Sequence, residues 1–468
     1  MLWESQPASG GTAEGHENLM PERSPTTTQN EETTYSYTRR FLTWRKHVRD
    51  LYQRLVHIDL VWESPAVQLM PYATARAGLL THTILSCTRT GGQEQAFVQL
   101  LSVTTPHSLQ FIRDVDTTYC EATGEIGGYG MAPSQTGMRI ERRILHDGDP
   151  LTVRYMHANP LLIASGSSDG NAYVFDWSRI SLNKFPNEPP RPRAPLPPNE
   201  PSINATEEER DDYKRRMRAL GAIAKDQERW DLRRGAGQHL LALTGSNGSC
   251  ETLDWSTSED GTIVAGSLGR VCYWQVANMS KDDPKTVPCT RAYNIDDNNS
   301  RVSEVDFSWT EQNSFVVSVE SGCVLHGDIR TPELTPLVTL ERAATSASIS
   351  PLDGTSLLLG TSDGEVCYYD LRRINQPVSQ VTLHGGPVSS VQWCPHSRHL
   401  FCSGGGGNDA MCCVFNATTS RLLFKHAGHT DNVTDVSWDW QEGCEGQLVS
   451  VDTNSITLWR PRDLFFVL

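Results

Sequence analysis

Three features of this 468-residue sequence predict an all-β fold built from repeated units. Two stretches share an apolar strand, a Ser-Asp-Gly turn and a second apolar strand ending in an aromatic residue and Asp: Leu161 to Trp177 and Leu357 to Leu371. Weaker copies recur at spacings of roughly 40 to 50 residues. Each copy also follows a further strand-like run, such as the run that ends at Trp393. Every unit therefore contains several strands.

A period of this length, with four strands in each unit, is typical of the WD40 (WD-repeat) β-propeller. Six units are visible from about Arg139 onward. The segment from Pro71 to Ser102 supplies a divergent seventh unit, because "HTILSCTR" and "AFVQLLSV" are two plausible strands. We therefore predict a seven-bladed propeller, with its first blades in residues 66–183 and its remaining blades in residues 239–468.

In such blades a His, a turn Asp and a strand Trp hydrogen-bond to one another and lock the blade. Two units fit this pattern: His429 with Trp459, and His146 with Asp169 and with Phe175 in place of Trp. Because an Asp side chain bonds back to nearby backbone in a tight turn, three residues are assigned to structure: Asp169, Asp363 and Asp409. In the last blade Thr453 occupies the turn position, which predicts an incomplete lock.

An amphipathic helix is predicted in front of the propeller, within residues 35–65. Its apolar residues recur at steps of three and four, which places them on one face: Phe41, Trp44, Val48, Leu51, Leu55 and Ile58. Tyr52 and Val56 widen this face, and most of the basic residues lie off it. The helix ends at Trp62–Pro65, because the residue before proline avoids the α region. Residues 1–34 are polar, which predicts a disordered tail.

A long insertion, residues 184–238, interrupts the repeat between blades. It opens with "FPNEPPRPRAPLPPNEP", which favours extended polyproline II. A mixed-charge segment of strong helix formers follows. Two interpretations remain open: a tolerated surface loop, which costs little loop-closure entropy, and a protein-docking arm.

Composition narrows the possible functions. The net charge of -15 argues against generic nucleic-acid binding. The 12 cysteines include no C-x-x-C pair, so no zinc site is indicated and a reducing compartment is favoured. No apolar run is long enough to cross a membrane. Because no Walker loop, G-x-S-x-G elbow or H-E-x-x-H motif occurs, we predict no catalytic, cofactor or metal site.

Several stretches resemble the histone-binding WD-repeat proteins related to the retinoblastoma-binding proteins and the small subunit of chromatin assembly factor. At the front, Trp44-Arg45-Lys46, Leu51-Tyr52 and Leu60-Val61-Trp62 fall at the spacing of that family. Further along, "GEIGGYG", "HDGDPLTVRYMHANPLLIA" and "RLLFKHAGHTDNVTDVSW" are similar to family segments. The resemblance covers most of the chain from Tyr37 to Arg460, with the insertion excluded.

The resemblance implies two histone-binding sites. In the family, the first helix of histone H4 lies in a groove beside the N-terminal helix, and the matching positions are Leu51, Tyr52, Leu55, Val56, Phe424 and Lys425. Basic peptides such as the H3 tail bind the acidic top of the propeller, where the matching acids are Asp147, Asp149, Glu320 and Asp452. The sequence departs from the family where the acidic loop before "LLF" is almost absent and where Lys425 and Arg421 add positive charge.

These implications lead to one expected function and one alternative. We expect a non-enzymatic protein of the nucleus that binds histones H3 and H4. It would act as a scaffold subunit of chromatin assembly, remodelling or histone-modifying complexes. It would be a monomer within larger assemblies, without direct contact to nucleic acid or membrane. The alternative is a related scaffold that has lost histone binding, in ribosome assembly or a ubiquitin ligase. Because propellers also host enzymes, an enzyme remains a rival.

Overall fold

Seven β-sheets form a seven-bladed propeller in the computed structural model, as the sequence predicts. The structure describes residues 39–48, 50–106, 119–120, 125–126, 137–179, 210, 213–214, 217, 239–277, 285–295, 300–407 and 409–463. The predicted tail lies outside these residues. So do most of "GEIGGYG" and nearly all of the insertion, of which residues 210, 213, 214 and 217 are described and helical.

The strands are numbered in chain order, beginning with β1 (Tyr52–Asp59). Blade 1 contains β2, β3, β4 and β7 (Val67–Arg76, Leu79–Cys87, Phe97–Pro106 and Gly137–Leu145). Between β4 and β7 the chain forms a short ribbon of β5 and β6 (Tyr119–Cys120 and Glu125–Ile126). Blade 2 contains β8, β9, β10 and β11 (Pro150–Met156, Asn159–Ser167, Ala172–Asp176 and Leu241–Thr244). A 3₁₀ turn follows β10 (Trp177–Arg179).

Blade 3 contains β12, β13, β14 and β16 (Thr252–Trp255, Thr262–Ser267, Arg270–Gln275 and Arg291–Asn294). Before β16, the chain adds β15 to blade 2, in parallel to β11 (Thr286–Pro288). Blade 4 contains β17 to β20 (Val302–Phe307, Ser314–Val319, Cys323–Asp328 and Thr335–Thr339). Blade 5 contains β21 to β24, with a 3₁₀ turn after β23 (Ala344–Ile349, Ser356–Thr361, Glu365–Asp370, Leu371–Arg373 and Ser379–Thr382).

Blade 6 contains β25 to β28 (Val388–Trp393, Leu400–Gly405, Cys412–Asn416 and Arg421–His426). Blade 7 contains β29 to β31 (Val433–Trp438, Leu448–Asp452 and Ser455–Pro461). Its outer strand is β1, which pairs antiparallel with β31 from Tyr52↔Pro461 to Asp59↔Ser455. The front of the chain therefore closes the ring by completing the last blade.

The predicted helix is shorter than expected, because its second half is strand β1. Helix α1 covers residues 39–51, of which residue 49 is not described. The helical spacing was misleading beyond Leu51, because both faces of β1 are buried between blades. Leu55 packs in the cluster shared by blades 6 and 7, and Val56 in the cluster shared by blades 7 and 1. A strand with two buried faces shows no clear alternation and cannot be told from a helix by periodicity.

The insertion also lies elsewhere than predicted. It connects β10 to β11, which pair with each other within blade 2 (Ala172↔Leu243 to Val174↔Leu241). The insertion therefore interrupts one blade and does not separate two. The prediction of a divergent blade near the front is confirmed: it is blade 1, whose strands are longer than those of blades 3 to 6.

Hydrophobic clusters fill the spaces between neighbouring blades and form the core. Seven such clusters occur among the described residues, one for each junction of the ring. Burying apolar side chains at every junction stabilises the closed ring at about 25 cal/mol per Å² of apolar surface. Cysteines take part as small buried hydrophobes, for example Cys402 and Cys412.

Around the central channel, side chains of the inner strands bind the backbone of the next blade. Six of the seven junctions carry such a bond, in which the backbone N–H donates to the side-chain oxygen: Tyr155 to Gln68, Phe307 to Asp254, Ile349 to Asp306, Trp393 to Ser348, Trp438 to Gln392 and Leu69 to Ser437. At the junction of blades 2 and 3 the equivalent residue is Arg154, whose side chain carries only donors and so cannot accept a bond from the backbone N–H. These bonds hold the inner strands in register.

The lock of blade 7 is complete, which corrects the prediction. Nε1 of Trp459 donates to Oγ of Ser450 at 2.8 Å, and that hydroxyl lies 2.6 Å from Nε2 of His429. Nδ1 of His429 lies 3.2 Å from Oδ2 of Asp452, which is fully buried. The turn aspartate is thus Asp452, one residue before Thr453.

The locks of the other blades vary around this pattern. In blade 6 His384 contacts Asp409 and lies 2.7 Å from Ser403, as predicted for a structural aspartate. In blade 2 His146 contacts Ser165, but Asp169 accepts a hydrogen bond from the Tyr173 hydroxyl and does not contact the histidine. Asp363 pairs with Arg342. All three predicted aspartates therefore support the fold, two of them through partners other than a histidine.

Candidate partner-binding surfaces

A groove runs along α1 where the helix lies beside β28, the outer strand of blade 6. It has a volume of about 600 Å³ and is lined by Arg39, Arg40, Thr43, Trp44, His47, Leu51, Lys425 and Ala427. Thr43, His47 and Leu51 recur every four residues, so one face of the helix forms one wall. Trp44 and Ala427 contribute apolar surface. The groove lies beside the N-terminal helix, which is where the resemblance leads us to expect one.

A chain of aromatic contacts anchors α1 at this groove. Nε1 of Trp44 donates to the Tyr52 hydroxyl at 2.8 Å, and that hydroxyl lies 2.7 Å from Nδ1 of His426. The His426 ring stacks on Trp459, with ring centroids 4.7 Å apart. Burial raises the pKa of Tyr52 and lowers the pKa of His426, so both rings stay neutral.

Arg40 fixes the start of the helix on blades 6 and 7. Its guanidinium donates to the backbone carbonyls of Asp409, Ala410 and His429, the last two at 3.0 Å. The position of α1 beside β28 is therefore set by hydrogen bonds as well as by apolar contact.

Four of the six predicted groove residues lie in the core, which corrects the prediction for those four. Tyr52, Leu55, Val56 and Phe424 are between 1% and 4% exposed. They have no surface for a partner to contact, because β1 turns them toward neighbouring blades. Leu51 and Lys425 do line the groove. Sequence reasoning missed the rest of the lining, although Thr43 and His47 could have been found from their four-residue spacing to Leu51.

The groove is positively charged. Among the described residues, its lining contains the cations Arg39, Arg40 and Lys425 together with His47, and contains no carboxylate. The chain as a whole has a net charge of -15, so this surface has the opposite sign to the rest of the molecule.

The four predicted top-face acids share one face but not one role. Asp147 and Asp149 precede β8, whereas Glu320 follows β18 and Asp452 ends β30, which are the second strands of blades 4 and 7. In an antiparallel meander these connections emerge at the same end. Asp147 is exposed and lies 3.2 Å from Nδ1 of His239, and Glu320 is also exposed.

The other two acids are used by the fold. Oδ1 of Asp149 accepts bonds from the backbone N–H and hydroxyl of Thr90, at 2.9 and 3.0 Å. Asp452 is the buried lock of blade 7. Burial alone would raise the pKa of Asp452, but His429 and the Ser455 hydroxyl outweigh it and lower that pKa to about 2. Asp452 therefore cannot contact a peptide.

The central channel contains acids that sequence reasoning missed. Two of them, Asp254 and Asp306, accept hydrogen bonds from the backbone of the next blade. The other two, Glu304 and Asp435, lie two residues nearer to the start of β17 and β29 than the residues that accept such bonds there. Arg154 is the cation among them, and its guanidinium lies 3.1 Å from Oδ2 of Asp435. The signal was present, because "LDW", "VDF" and "TDVSW" place a carboxylate inside an apolar strand.

Burial shifts the titration of these acids. It raises the pKa of Asp254 to about 6 and that of Glu304 to about 7, and it also raises the pKa of Asp306. Burial opposes the charge on Arg154 as well, but Asp435, Glu304 and Asp254 outweigh it and raise the pKa of the guanidinium. A second cation entering the channel would replace lost solvation and favour the ionised carboxylates.

An aromatic cluster covers the other end of the channel. Trp309 and Trp440 stack with centroids 4.4 Å apart, and His157 packs edge-on against Trp309 at 4.5 Å. These residues follow the ends of inner strands β17, β29 and β8. Access to the channel acids is therefore from the face where the inner strands begin, which is the face of Asp147 and Glu320.

One buried cluster contains possible metal ligands among the described residues. His82, Asp439 and Cys444 place ligand atoms within 4.8 Å of one another. Their contacts are already used, since Nε2 of Gln447 donates to Asp439 at 2.7 Å and Nδ1 of His82 lies 3.2 Å from Asp439. Burial raises the pKa of the Cys444 thiol to about 11, and the nearby Arg54, which donates to Gln447, offsets only part of that rise. With this guanidinium present, the cluster is a structural network.

Comparison with known proteins matches the front of the chain and a segment of blades 5 and 6. A family model described as histone-binding protein RBBP4, or the corresponding component of the CAF1 complex, matches residues 39–107. The model "WD domain, G-beta repeat" matches residues 375–416. Histone-binding protein MSI1 of Saccharomyces cerevisiae is 21% identical over 430 residues, 90% of this chain and 93% of the relative.

Two further relatives agree with these matches. WD-40 repeat-containing protein MSI3 of Arabidopsis thaliana is 21% identical over 440 residues, 90% of this chain and 88% of the relative. Histone acetyltransferase type B subunit 2 of Aspergillus fumigatus is 31% identical over 145 residues, 30% of this chain and 33% of the relative. Separately, no helix in the described part of the chain has the length and apolar character that a membrane crossing needs.

Proposed function

We propose, from the premise that the chain belongs to the WD-repeat family of histone-binding proteins, that it binds histones H3 and H4 as a scaffold subunit of nuclear chromatin complexes. The observation that carries this proposal is the family match over residues 39–107. That segment builds α1, the ring-closing strand β1 and most of blade 1. A catalytic role is not part of the proposal, since relatives are named as histone-binding proteins or as an enzyme's subunit.

We place the histone contact at the face where the inner strands begin. Basic histone segments would be attracted to the exposed Asp147 and Glu320. The side groove beside α1 is a poorer histone site than the resemblance implies, because a basic helix would meet Arg39 and Lys425 there. This placement differs from the groove implied by the resemblance.

The proposal is tested with the full chain and labelled H3–H4 tetramers. We expect binding that weakens as salt rises, and we expect Asp147→Lys combined with Glu320→Lys to weaken it by about tenfold or more. The matched control is Asp260→Lys with Glu442→Lys, which makes the same charge change on exposed residues between first and second strands, on the opposite face. That control should bind like the wild type.

The positive groove favours one second candidate function. A scaffold that has lost histone binding would have no use for an acidic side groove, and the described lining of this groove carries Arg39 and Lys425 instead of acids. Absence of H3–H4 binding by the wild type at physiological salt would select that candidate. If both double variants lost H3–H4 affinity equally, the loss would come from the change in overall charge. That result would contradict the placement on the proposed face.

A further inference from the structure

We infer that the groove between α1 and β28 binds an acidic, amphipathic peptide segment of a partner protein. This inference goes beyond the proposed function, whose histone contact lies at the channel end. A scaffold with two surfaces of opposite charge could hold a basic and an acidic partner at the same time.

Charge is the first argument. Arg39 and Lys425 are exposed on opposite sides of the groove, Arg40 lies between them and His47 adds a titratable fourth group. Asp50 lies on the same helix but does not line the groove. A basic ligand would face the like charges of Arg39 and Lys425 across the described groove, whereas carboxylates could form charge-assisted hydrogen bonds with both side chains.

Arg40 positions this end of the groove. It donates to three backbone carbonyls of blades 6 and 7. These hydrogen bonds hold α1, and with it the neighbouring Arg39, in a fixed place beside β28. A ligand would therefore spend little entropy in ordering the groove wall.

The apolar floor is the second argument, and it selects a peptide. Leu51 and Ala427 are partly exposed and offer apolar surface between the charged rims, and the buried Trp44 supports them from the core. The helix wall from Thr43 to Leu51 is about 12 Å long, which matches about two turns of a helical segment. Such a ligand would bury apolar side chains on the floor and present Asp or Glu to the rims.

A nucleic acid is the competing polyanion, and the chain disfavours it. The net charge of -15 repels a phosphate backbone beyond the groove. A base would also find a single tryptophan in the lining, and Trp44 is only 7% exposed, so that its ring face offers little room for stacking.

The experiment uses the full chain and two fluorescent 16-residue peptides with identical Leu positions, one with Glu and one with Lys at the remaining helix-facing positions. A 16-nucleotide single-stranded DNA of random sequence is the third probe. In low salt, we expect the Glu peptide to bind at least about tenfold more tightly than the Lys peptide and the DNA. Anisotropy titrations measure all three.

Variants identify the groove as the binding surface. Arg39→Glu with Lys425→Glu should reverse the preference between the peptides. Lys46→Glu changes the charge of the same helix outside the groove and should leave it unchanged. Because Arg39, Lys46 and Lys425 are exposed, unchanged melting curves should confirm that the variants fold.

Three results would overturn the inference: tighter binding of the Lys peptide to the wild type, tighter binding of the DNA, or a Glu-peptide preference that survives in the double variant. H3–H4 binding is measured on the same samples. Loss of H3–H4 binding in the double variant, with the peptide preference reversed as expected, would refute only our placement of the histone contact.

Discussion

The Tyr52 hydroxyl lies 2.7 Å from Nδ1 of His426 and joins the ring-closing strand β1 to β28 of the neighbouring blade. Trp44 donates to the same hydroxyl oxygen. One phenol group therefore links the helix, the last blade and the blade before it. The shape of the groove depends on this link, because Trp44 belongs to its lining and His426 follows Lys425 in β28.

Tyr52→Phe should destabilise the protein by about 1–3 kcal/mol, because the buried Trp44 and His426 nitrogens lose their shared partner. Urea denaturation followed by fluorescence measures the change. Tyr72→Phe is the matched control, since Tyr72 is 41% exposed. Similar costs at both positions would contradict the role given to the Tyr52 hydroxyl.

Leu55→Ala should cost about 2–5 kcal/mol of unfolding free energy, because it leaves a cavity in the cluster between blades 6 and 7. Had Leu55 been a ligand anchor on an exposed helix face, the free protein would lose little. Val61→Ala, at a residue that is 92% exposed, should change stability by less than about 0.5 kcal/mol. Chemical denaturation measures both changes. A Leu55→Ala protein as stable as the wild type would contradict the burial of Leu55 and favour an exposed position.

Asp452→Ala should destabilise blade 7 strongly, by about 3–5 kcal/mol, because it removes one partner of a buried His–Asp pair. Asp147→Ala removes an exposed partner of His239 and should cost at most about 1 kcal/mol. Thermal melts of the two variants provide the comparison. Equal melting temperatures would show that the lock contributes no more than a surface pair.

Glu304 should make stability depend on pH. Its pKa is about 7 in the folded chain against 4.5 when unperturbed. Between these values the folded state binds the extra proton, so stability falls as pH rises through that interval. Glu304→Gln cannot ionise. It should melt higher than the wild type at pH 8, by an amount that shrinks toward pH 5, whereas Glu320→Gln should show no such trend. A difference that is the same at both pH values would contradict the assignment.

Replacing Pro189 to Arg234 with a short flexible linker should leave the propeller folded. The insertion connects β10 to β11 within blade 2, and shortening a long loop changes the closure entropy by a small amount. Calorimetry of the full chain and the deletion would show nearly equal melting temperatures if the insertion is a surface loop. A large drop would mean that it packs on the blades.

The sequence predicted the repeat and the number of blades, because strand periodicity and turn residues are local signals. It did not predict where α1 ends, since the pairing of β1 with β31 depends on residues from the far end of the chain. The missing lock of blade 7 was an error of one position, between Asp452 and Thr453, in a turn without glycine.

Candidate sites were harder to predict than the fold. Leu51 and Lys425 line the side groove, and their role there stays a prediction. Leu55 and Val56 are buried, because a set of contacts carried over by resemblance does not report burial. The channel acids were missed for another reason. Asp254 and Asp306 are far apart in the chain and become neighbours only when the blades form a ring.

The pairing of β1 with β31 also has a consequence for how the chain acquires its fold. Tyr52 leaves the ribosome about 400 residues before its partner Pro461, which at 5–20 residues per second is a delay of roughly 20–80 s. During that delay β1, which has buried apolar side chains on both faces, has no native partner strand. The nascent chain must therefore be protected from aggregation until β31 is made. Truncation near the C-terminus would leave β1 permanently without the strand that it pairs with.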